Sequence, residues 1–244
     1  MSDIFEEAEE GLRAEQWLSI AKKSAPIIGG VLGGALLIAL SYWGYSAWQK
    51  DAMSKASVTY QKGLDAMEAK DNKTANDDFT QVSHSSTSGY KALALMQLGG
   101  LALGDNKPKD ALSDFDQASQ AASDQNLKDF AALRSAYIAF DAETLDQVKA
   151  RLEPLAQDKR PFHALAKQAL ALVKIEQGDM AGARQDLQNL AITIGTPDSV
   201  KSSSQQYVLA IDSGSAKRAV EVAKMPSSAN AALMPQMMPQ MTPQ

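Results

Sequence analysis

Residues 92–118, ALALMQLGGLALGDNKPKDALSDFDQA, decide the fold of this chain. The stretch opens as an apolar run, breaks at Gly104-Asp105-Asn106 before Pro108, and resumes with Ala111 and Phe115. Proline lacks a backbone N–H, glycine is conformationally free, and Asn and Asp side chains compete for backbone groups, so this break ends a helix. The stretch therefore predicts a helical hairpin, in which two helices are joined by a short turn.

The spacing of this hairpin recurs along the chain. Phe115 follows Gly99 by sixteen residues and Ala111 by four, and three further copies keep these intervals. The copies begin near residues 56, 92, 129 and 164, at an interval of roughly 34–38 residues, which is typical of helical-hairpin arrays. A small residue in the first helix lets the second helix approach closely, and the large residue fills the remaining gap. The predicted repeat-packing positions are Gly63, Ala75, Phe79, Gly99, Ala111, Phe115, Ala136, Val148, Leu152, Ala171, Ala183 and Leu187.

Turns and a terminal helix complete the predicted repeat domain, residues 52–211. Turn-forming residues separate the two helices of the other hairpins at 71–73, 141–144 and 178–179. A last helix is expected to begin at Thr196-Pro197-Asp198, and its apolar stripe would cover the open end of the stack.

Residues 26–48, PIIGGVLGGALLIALSYWGYSAW, carry no charged side chain. A helix of this length rises roughly 35 Å, enough to cross a hydrocarbon core of about 30 Å. Its last residues are rich in Tyr and Trp, which favour the headgroup layer. A cleaved signal peptide is the alternative, but the preceding residues 1–25 are acidic, whereas signal peptides open with a basic segment. We therefore predict a retained transmembrane helix after a cytoplasmic amphipathic leader.

Glycines form two overlapping GxxxG spacings on one face of this segment. Such a groove permits close helix association with a partner membrane protein or with a second copy of the chain, although glycine is also common in membrane spans for other reasons. The short leader and the lysines before the segment favour a cytoplasmic N-terminus. The candidate association residues are Gly29, Gly30, Gly33 and Gly34.

Composition argues against several classes of function. The chain has no cysteine, which excludes disulfides, cysteine-based zinc sites and thiol catalysis. Its net charge of −5 disfavours nucleic acid as a partner. His84 and His163 are far apart and lack neighbouring metal-ligand residues, and no phosphate loop or nucleophile motif occurs. We therefore predict a protein that is not an enzyme and has neither a cofactor nor a metal site.

Residues 212–244 are expected to form a disordered tail rich in Met, Pro and Gln. Met234, Met237, Met238 and Met241 recur in it every three or four residues. Because thioether sulfur is a soft ligand, Cu(I) binding is the alternative interpretation.

The repeat positions resemble those of the tetratricopeptide repeat, which places a small residue in its first helix and Ala, then a large apolar residue, in its second. The tryptophan that the family has at position 4 of each repeat and the proline that it has at position 32 are absent from these positions here. The predicted fold class is thus all-α, with one N-terminal transmembrane helix followed by a tetratricopeptide-like solenoid. Because the concave face of such arrays binds ligands, the candidate partner-binding residues are Tyr60, Tyr90, Met96 and Tyr137.

The order of segments resembles the ancillary SecYEG translocon subunits, and the opening Asp3-Ile4-Phe5-Glu6-Glu7 is similar to the leader of their alphaproteobacterial members. This resemblance implies a bacterial inner-membrane protein with a periplasmic repeat domain. It further implies association with the SecYEG translocon and with a membrane-anchored periplasmic chaperone, in aid of exported proteins. The alternative is a scaffold for envelope assembly or cell division, because helical-hairpin arrays serve both roles.

Overall fold

A computed structural model describes the backbone of residues 3–223 and the side chains of residue 30 and residues 33–221. The described part of the chain divides into two compact units, with the boundary between Lys55 and Ala56. The described residues form ten α-helices: α1 Asp3–Glu68, α2 Asn72–Ser83, α3 Ser88–Gly104, α4 Pro108–Ala121, α5 Gln125–Ala142, α6 Leu145–Leu152, α7 His163–Gln177, α8 Met180–Ile192, α9 Asp198–Asp212 and α10 Ser215–Ala223.

The first unit contains the larger part of α1, which includes the predicted leader and the predicted span. The large apolar side chains described between residues 36 and 48 are all exposed: Leu36, Leu37, Ile38, Leu40, Tyr42, Trp43, Tyr45 and Trp48. Across the described residues, no helix has both the length and the apolar composition needed to span a bilayer.

The second unit is a succession of antiparallel helical hairpins. From α2 onward each helix packs against the next one in the chain, both within a hairpin and between consecutive hairpins. This is the all-α, tetratricopeptide-like solenoid predicted from the repeat spacing, and the part of the prediction that concerns the repeats is confirmed.

Polar residues at the turns set where the helices begin. The Asp71 carboxylate accepts hydrogen bonds from the Thr74 N–H at 3.1 Å and the Thr74 hydroxyl at 2.6 Å, so α2 begins inside the predicted turn at 71–73. These hydrogen bonds hold the pKa of Asp71 below its usual value. Thr144 and Gln147 form a capping box at the start of α6, the third turn predicted from the sequence.

Glycine permits close packing at the centre of the first two hairpins. A Cβ added to Gly63 would lie 2.7 Å from Cε1 of Phe79, and one added to Gly99 would lie 2.7 Å from Cδ2 of Phe115. Both phenylalanine rings are buried. The aromatic ring thus occupies the space that a methyl group would need.

The third hairpin is shorter than the others. Helix α6 ends at Leu152, and the chain then turns without regular helix through residues 153–162. Pro154 cannot continue the helical hydrogen-bond pattern, which explains the early end. Leu155 is nevertheless buried and packs in the same apolar cluster as Leu152.

The prediction that a disordered tail begins at residue 212 is wrong for the segment that forms α10. Residues 215–223 are helical, and Val220 is buried. Ala216 and Val220 are four residues apart, so both lie on one helical face, which packs against Ala171, Ile175 and the rest of their cluster. Alanine and valine thus supply enough apolar surface to fix this segment. The methionines of the tail lie outside the described residues.

Candidate interaction surface

The predicted repeat-packing positions all lie in the interior of the second unit. All of these side chains, and both glycines, are buried. Phe79 and Ala75 share the first apolar cluster, Ala136 and Leu152 the second, and Ala171, Ala183 and Leu187 the third. Because these positions are inaccessible to a partner, they determine the shape of the repeat surface without forming a binding site themselves.

Three of the four candidate partner-binding residues lie together. The ring centroid of Tyr60 is 5.4 Å from that of Phe79 and 5.8 Å from that of Tyr90, and Met96 packs against the same cluster. The Gln97 side-chain amide donates a hydrogen bond to the Tyr60 hydroxyl at 3.0 Å. These side chains are half-buried, so they join the apolar core to the surface of α1 and α3.

Tyr137 lies apart from the other three, on α5. It packs half-buried against the second apolar cluster. Burial, and secondarily the charge of Tyr207 on α9, raises the pKa of Tyr137 above its usual value. Tyr207 is thus a further aromatic residue near this surface, although the repeat spacing did not single it out.

An ion-pair network joins three helices around Arg151. The guanidinium donates to both oxygens of Glu143 at 2.7 Å and to both oxygens of Asp116 at 2.8 and 2.9 Å. The Ser135 hydroxyl donates a further bond to Asp116 at 2.5 Å. The hydrogen bond from Arg151 holds the pKa of Glu143 below its usual range, and the two carboxylates raise the pKa of Arg151.

A second ion pair fixes the irregular segment after α6. Asp129 on α5 is fully buried, and its Oδ1 accepts from Arg160 at 2.5 Å and from Gln125 at 2.6 Å. Among the described residues, its Oδ2 has no hydrogen-bond partner. The pair ties residues 153–162 to α5 where regular helix is missing.

Asp114 on α4 is the one group of the described residues whose pKa rises strongly toward neutrality. Burial, together with the like charge of Asp110 one helical turn earlier, raises the pKa of Asp114 to about 6. A half-buried carboxylate beside a second carboxylate is therefore a source of instability at neutral pH.

Two surface cavities lie near the C-terminal end of the repeats. One, of about 570 Å³, is lined by Lys167 and Asp158, which form a 2.5 Å ion pair, and by His163. The other, of about 630 Å³, lies between α8 and α9 and is lined by Ile192 and Leu209 among others. Asn189 lines both cavities, so they adjoin.

The remaining candidate positions show no packed site within the described residues. A Cβ added to Gly30, Gly33 or Gly34 would meet no atom within 4 Å, and the side-chain position of Gly29 lies outside the described residues. His84 is exposed, whereas His163 is half-buried with its Nδ1 2.8 Å from the Arg160 carbonyl oxygen. The described residues contain no group of three potential metal ligands from His, Cys, Asp and Glu.

Reasoning from the sequence missed both ion-pair networks. Arg151 and Asp116 are 35 residues apart, and Arg160 and Asp129 are 31 apart. The separation of Arg151 and Asp116 falls within the repeat interval of roughly 34–38 residues, and this is the signal that a search could have used, because consecutive repeats pack side by side. The separation of Arg160 and Asp129 is shorter than one repeat and carries no such signal.

Comparison with known proteins accords with this architecture. The tetratricopeptide repeat-like domain family matches residues 21–205. Over 184 residues the chain is 26% identical to a protein of Escherichia coli (strain K12) named the ancillary SecYEG translocon subunit, which covers 75% of this chain and 86% of that protein. The similarity confirms the resemblance noted in the sequence. From its repeats, their packing and this match, the chain belongs to the tetratricopeptide repeat-like domain family.

Proposed function

We propose that this protein is a non-enzymatic, membrane-anchored interaction scaffold that associates with the SecYEG translocon. The observation that carries the proposal is the similarity to the ancillary SecYEG translocon subunit, which extends over three quarters of the chain. A solenoid of helical hairpins supports it, because such repeats present extended surfaces to protein partners.

Residues 26–48 are the proposed membrane anchor, on the basis of their uncharged sequence. The large apolar side chains described in this segment are exposed, as lipid-facing side chains are. The Ser41 hydroxyl donates to the Leu37 carbonyl oxygen at 2.8 Å, and the Ser46 hydroxyl to that of Trp43 at 2.9 Å. Both hydroxyls thus find acceptors within their own helix, which hydrocarbon surroundings would require.

The proposed orientation places residues 1–25 in the cytoplasm and the repeats in the periplasm, in a bacterial inner membrane. The shortness of the leader and the lysines before residue 26 support this orientation. The resemblance noted in the sequence extends the proposal to a membrane-anchored periplasmic chaperone as a second partner.

The test is in-cell crosslinking of the tagged full chain, followed by purification in mild detergent and mass spectrometry. We expect recovery of translocon subunits, together with a periplasmic chaperone. Replacing Gly29, Gly30, Gly33 and Gly34 by leucine should abolish the recovery of translocon if the glycine face makes the contact.

A control adds leucine side chains to the opposite face of the helix. At 3.6 residues per turn, Ala35 and Ala39 lie on the side away from the glycines, so Ala35→Leu and Ala39→Leu should leave recovery unchanged. Recovery of division or outer-membrane assembly proteins without translocon would contradict the proposal and favour an envelope scaffold. Recovery of only a second copy of the chain would assign the glycine face to a homodimer.

A further inference from the structure

The C-terminal end of the repeat unit carries an exposed apolar patch, formed by Ile192, Ile194 and Leu209. Their side chains are 80%, 97% and 67% exposed. Ile192 and Leu209 line the cavity between α8 and α9, with Ala191 and Val208 beside them. Terminal elements of repeat proteins normally present a polar outer face, so apolar residues here indicate a surface that is covered.

Helix α10 does not cover this patch. Val220 and Ala216 of α10 pack into the cluster formed with Ala171 and Ile175. This cluster includes Val208 at the edge of the groove, but it includes none of Ile192, Ile194 and Leu209. Helix α10 therefore packs against one surface of the terminal helices and leaves the α8–α9 groove open.

We propose that residues 224–244 of the same chain bind in the α8–α9 groove and cover the apolar patch. These 21 residues follow directly after α10, which contacts α9, the helix that bears Leu209. Fully extended they reach roughly 70 Å, whereas α9 is only about 22 Å long, so the groove lies within their reach.

The chemistry of the segment fits the groove. It carries Leu233 and methionines at 234, 237, 238 and 241, and it contains one charged residue, Lys224. Methionine is flexible and polarizable, so it fills shallow and irregular apolar surfaces well. A tethered segment also has a high effective concentration, typically of millimolar order, so a weak apolar contact is sufficient for occupancy.

The chain has no cysteine, so the only thiols in a variant are the ones that are introduced. This permits a direct test by disulfide formation. The full-length double variant Leu209→Cys and Met237→Cys, purified in detergent, should form an intrachain disulfide under mild oxidation. The matched control pairs Met237→Cys with Val58→Cys, an exposed apolar position in α1. We expect the control to form no intrachain disulfide.

A second measurement does not depend on disulfide geometry. In the single variant Leu209→Cys, replacing the methionines at 234, 237, 238 and 241 by serine should increase the rate of maleimide labelling. The labelling rate of Val58→Cys should not change. Disulfides that form only between two chains, equal trapping at Val58 and Leu209, or a labelling rate at Leu209 that is insensitive to the methionines would overturn the proposal. The first of these outcomes would assign the patch to a second copy.

Discussion

At the scale of single residues, the packing of a repeat depends on which glycine positions have room for a Cβ atom. Gly99 and Gly100 are adjacent in α3, yet a Cβ at Gly99 would press against the Phe115 ring, whereas one at Gly100 would meet nothing within 4 Å. The same type of residue therefore has opposite roles at the two positions. Gly99 allows two helices to pack, and Gly100 only weakens the helix that contains it.

We predict that Gly99→Ala lowers the free energy of unfolding by about 1–3 kcal/mol, because the methyl group overpacks a buried aromatic contact. Gly100→Ala is the matched control and should raise it by about 0.5–1 kcal/mol, because alanine favours the helix. Urea unfolding of both variants measures the difference. Equal effects of the two substitutions would show that the close approach to Phe115 does not constrain the fold.

Asp114 makes the stability of the protein depend on pH. Its pKa in the folded state is about 6, above its ordinary value of 3.8, so the folded state holds the proton more tightly than the unfolded state. Stability therefore decreases as the pH rises from about 4 to 6, and the penalty is complete above that range.

We accordingly predict that Asp114→Asn stabilises the protein at pH 7.5 and has little stabilising effect at pH 3.5, where the aspartate is protonated in the folded state and mostly protonated in the unfolded state. Melting temperatures across this pH range test the prediction. Asp77→Asn, at an exposed position on α2, is the control for the loss of one negative charge and should show little pH-dependent gain. A similar gain for both variants would indicate a general effect of net charge.

At the scale of elements, the third hairpin shows how a weak repeat is stabilised. Helix α6 has only 8 residues, against 12 in α2, 14 in α4 and 13 in α8, so it contributes less apolar surface. Arg151 compensates by joining α6 to α4 through Asp116 and to the end of α5 through Glu143, the residue that follows this helix.

We predict that Arg151→Met destabilises the protein by about 1–3 kcal/mol at neutral pH, because it leaves two partly buried carboxylates without their cation. The pKa of Glu143 is lowered in the folded state, so its contribution is complete above pH 4.5 and is lost as the pH falls below that value. The difference between the variant and the parent protein should therefore shrink in acid, which chemical unfolding at pH 7 and pH 3.5 measures.

The matched control is Lys149→Met, which removes an exposed cation in the same helix. Lys149 lies 3.8 Å from Glu153 and both are more than half exposed, so the substitution should change stability by no more than about 0.5 kcal/mol. If Arg151→Met were equally mild, the network would be an ordinary surface feature.

Helix α10 packs onto the second unit mainly through the buried side chain of Val220. We predict that Val220→Ala, which removes about two buried methylene equivalents, lowers the free energy of unfolding by about 1–2 kcal/mol. Glu221→Ala, at the neighbouring exposed position, should be nearly neutral. Hydrogen exchange of residues 215–223 offers a second measurement, and rapid exchange in the parent protein would contradict the packing of this helix.

The sequence predicted the hairpins well because their packing depends on local and periodic features. Glycine opposite phenylalanine, and turns built from Asp, Asn, Gly and Pro, specify helix boundaries within a few residues. It did not predict the Arg151 network, because a long charged side chain can reach several partners and only the folded chain selects among them. It did not predict α10 because this helix packs through few apolar residues, Ala216 and Val220. These residues stabilise the helix only by packing against an apolar cluster whose other members are distant in the sequence.

At the scale of the whole molecule, the repeat unit provides surface for protein partners, and the proposed anchor, residues 26–48, holds that surface at the membrane. The consecutive hairpins pack in series, and such an array presents many side chains to a protein partner. The function we propose depends on holding that surface close to the translocon, so it requires both parts in one chain.

The most direct measurement of this central claim is binding of the purified full chain to purified SecYEG, both reconstituted in lipid nanodiscs. We predict saturable association that exceeds association in nanodiscs without translocon and is lost when residues 26–48 are replaced by an unrelated apolar helix. Association no greater than that in translocon-free nanodiscs would contradict a translocon role and leave a membrane scaffold with other partners.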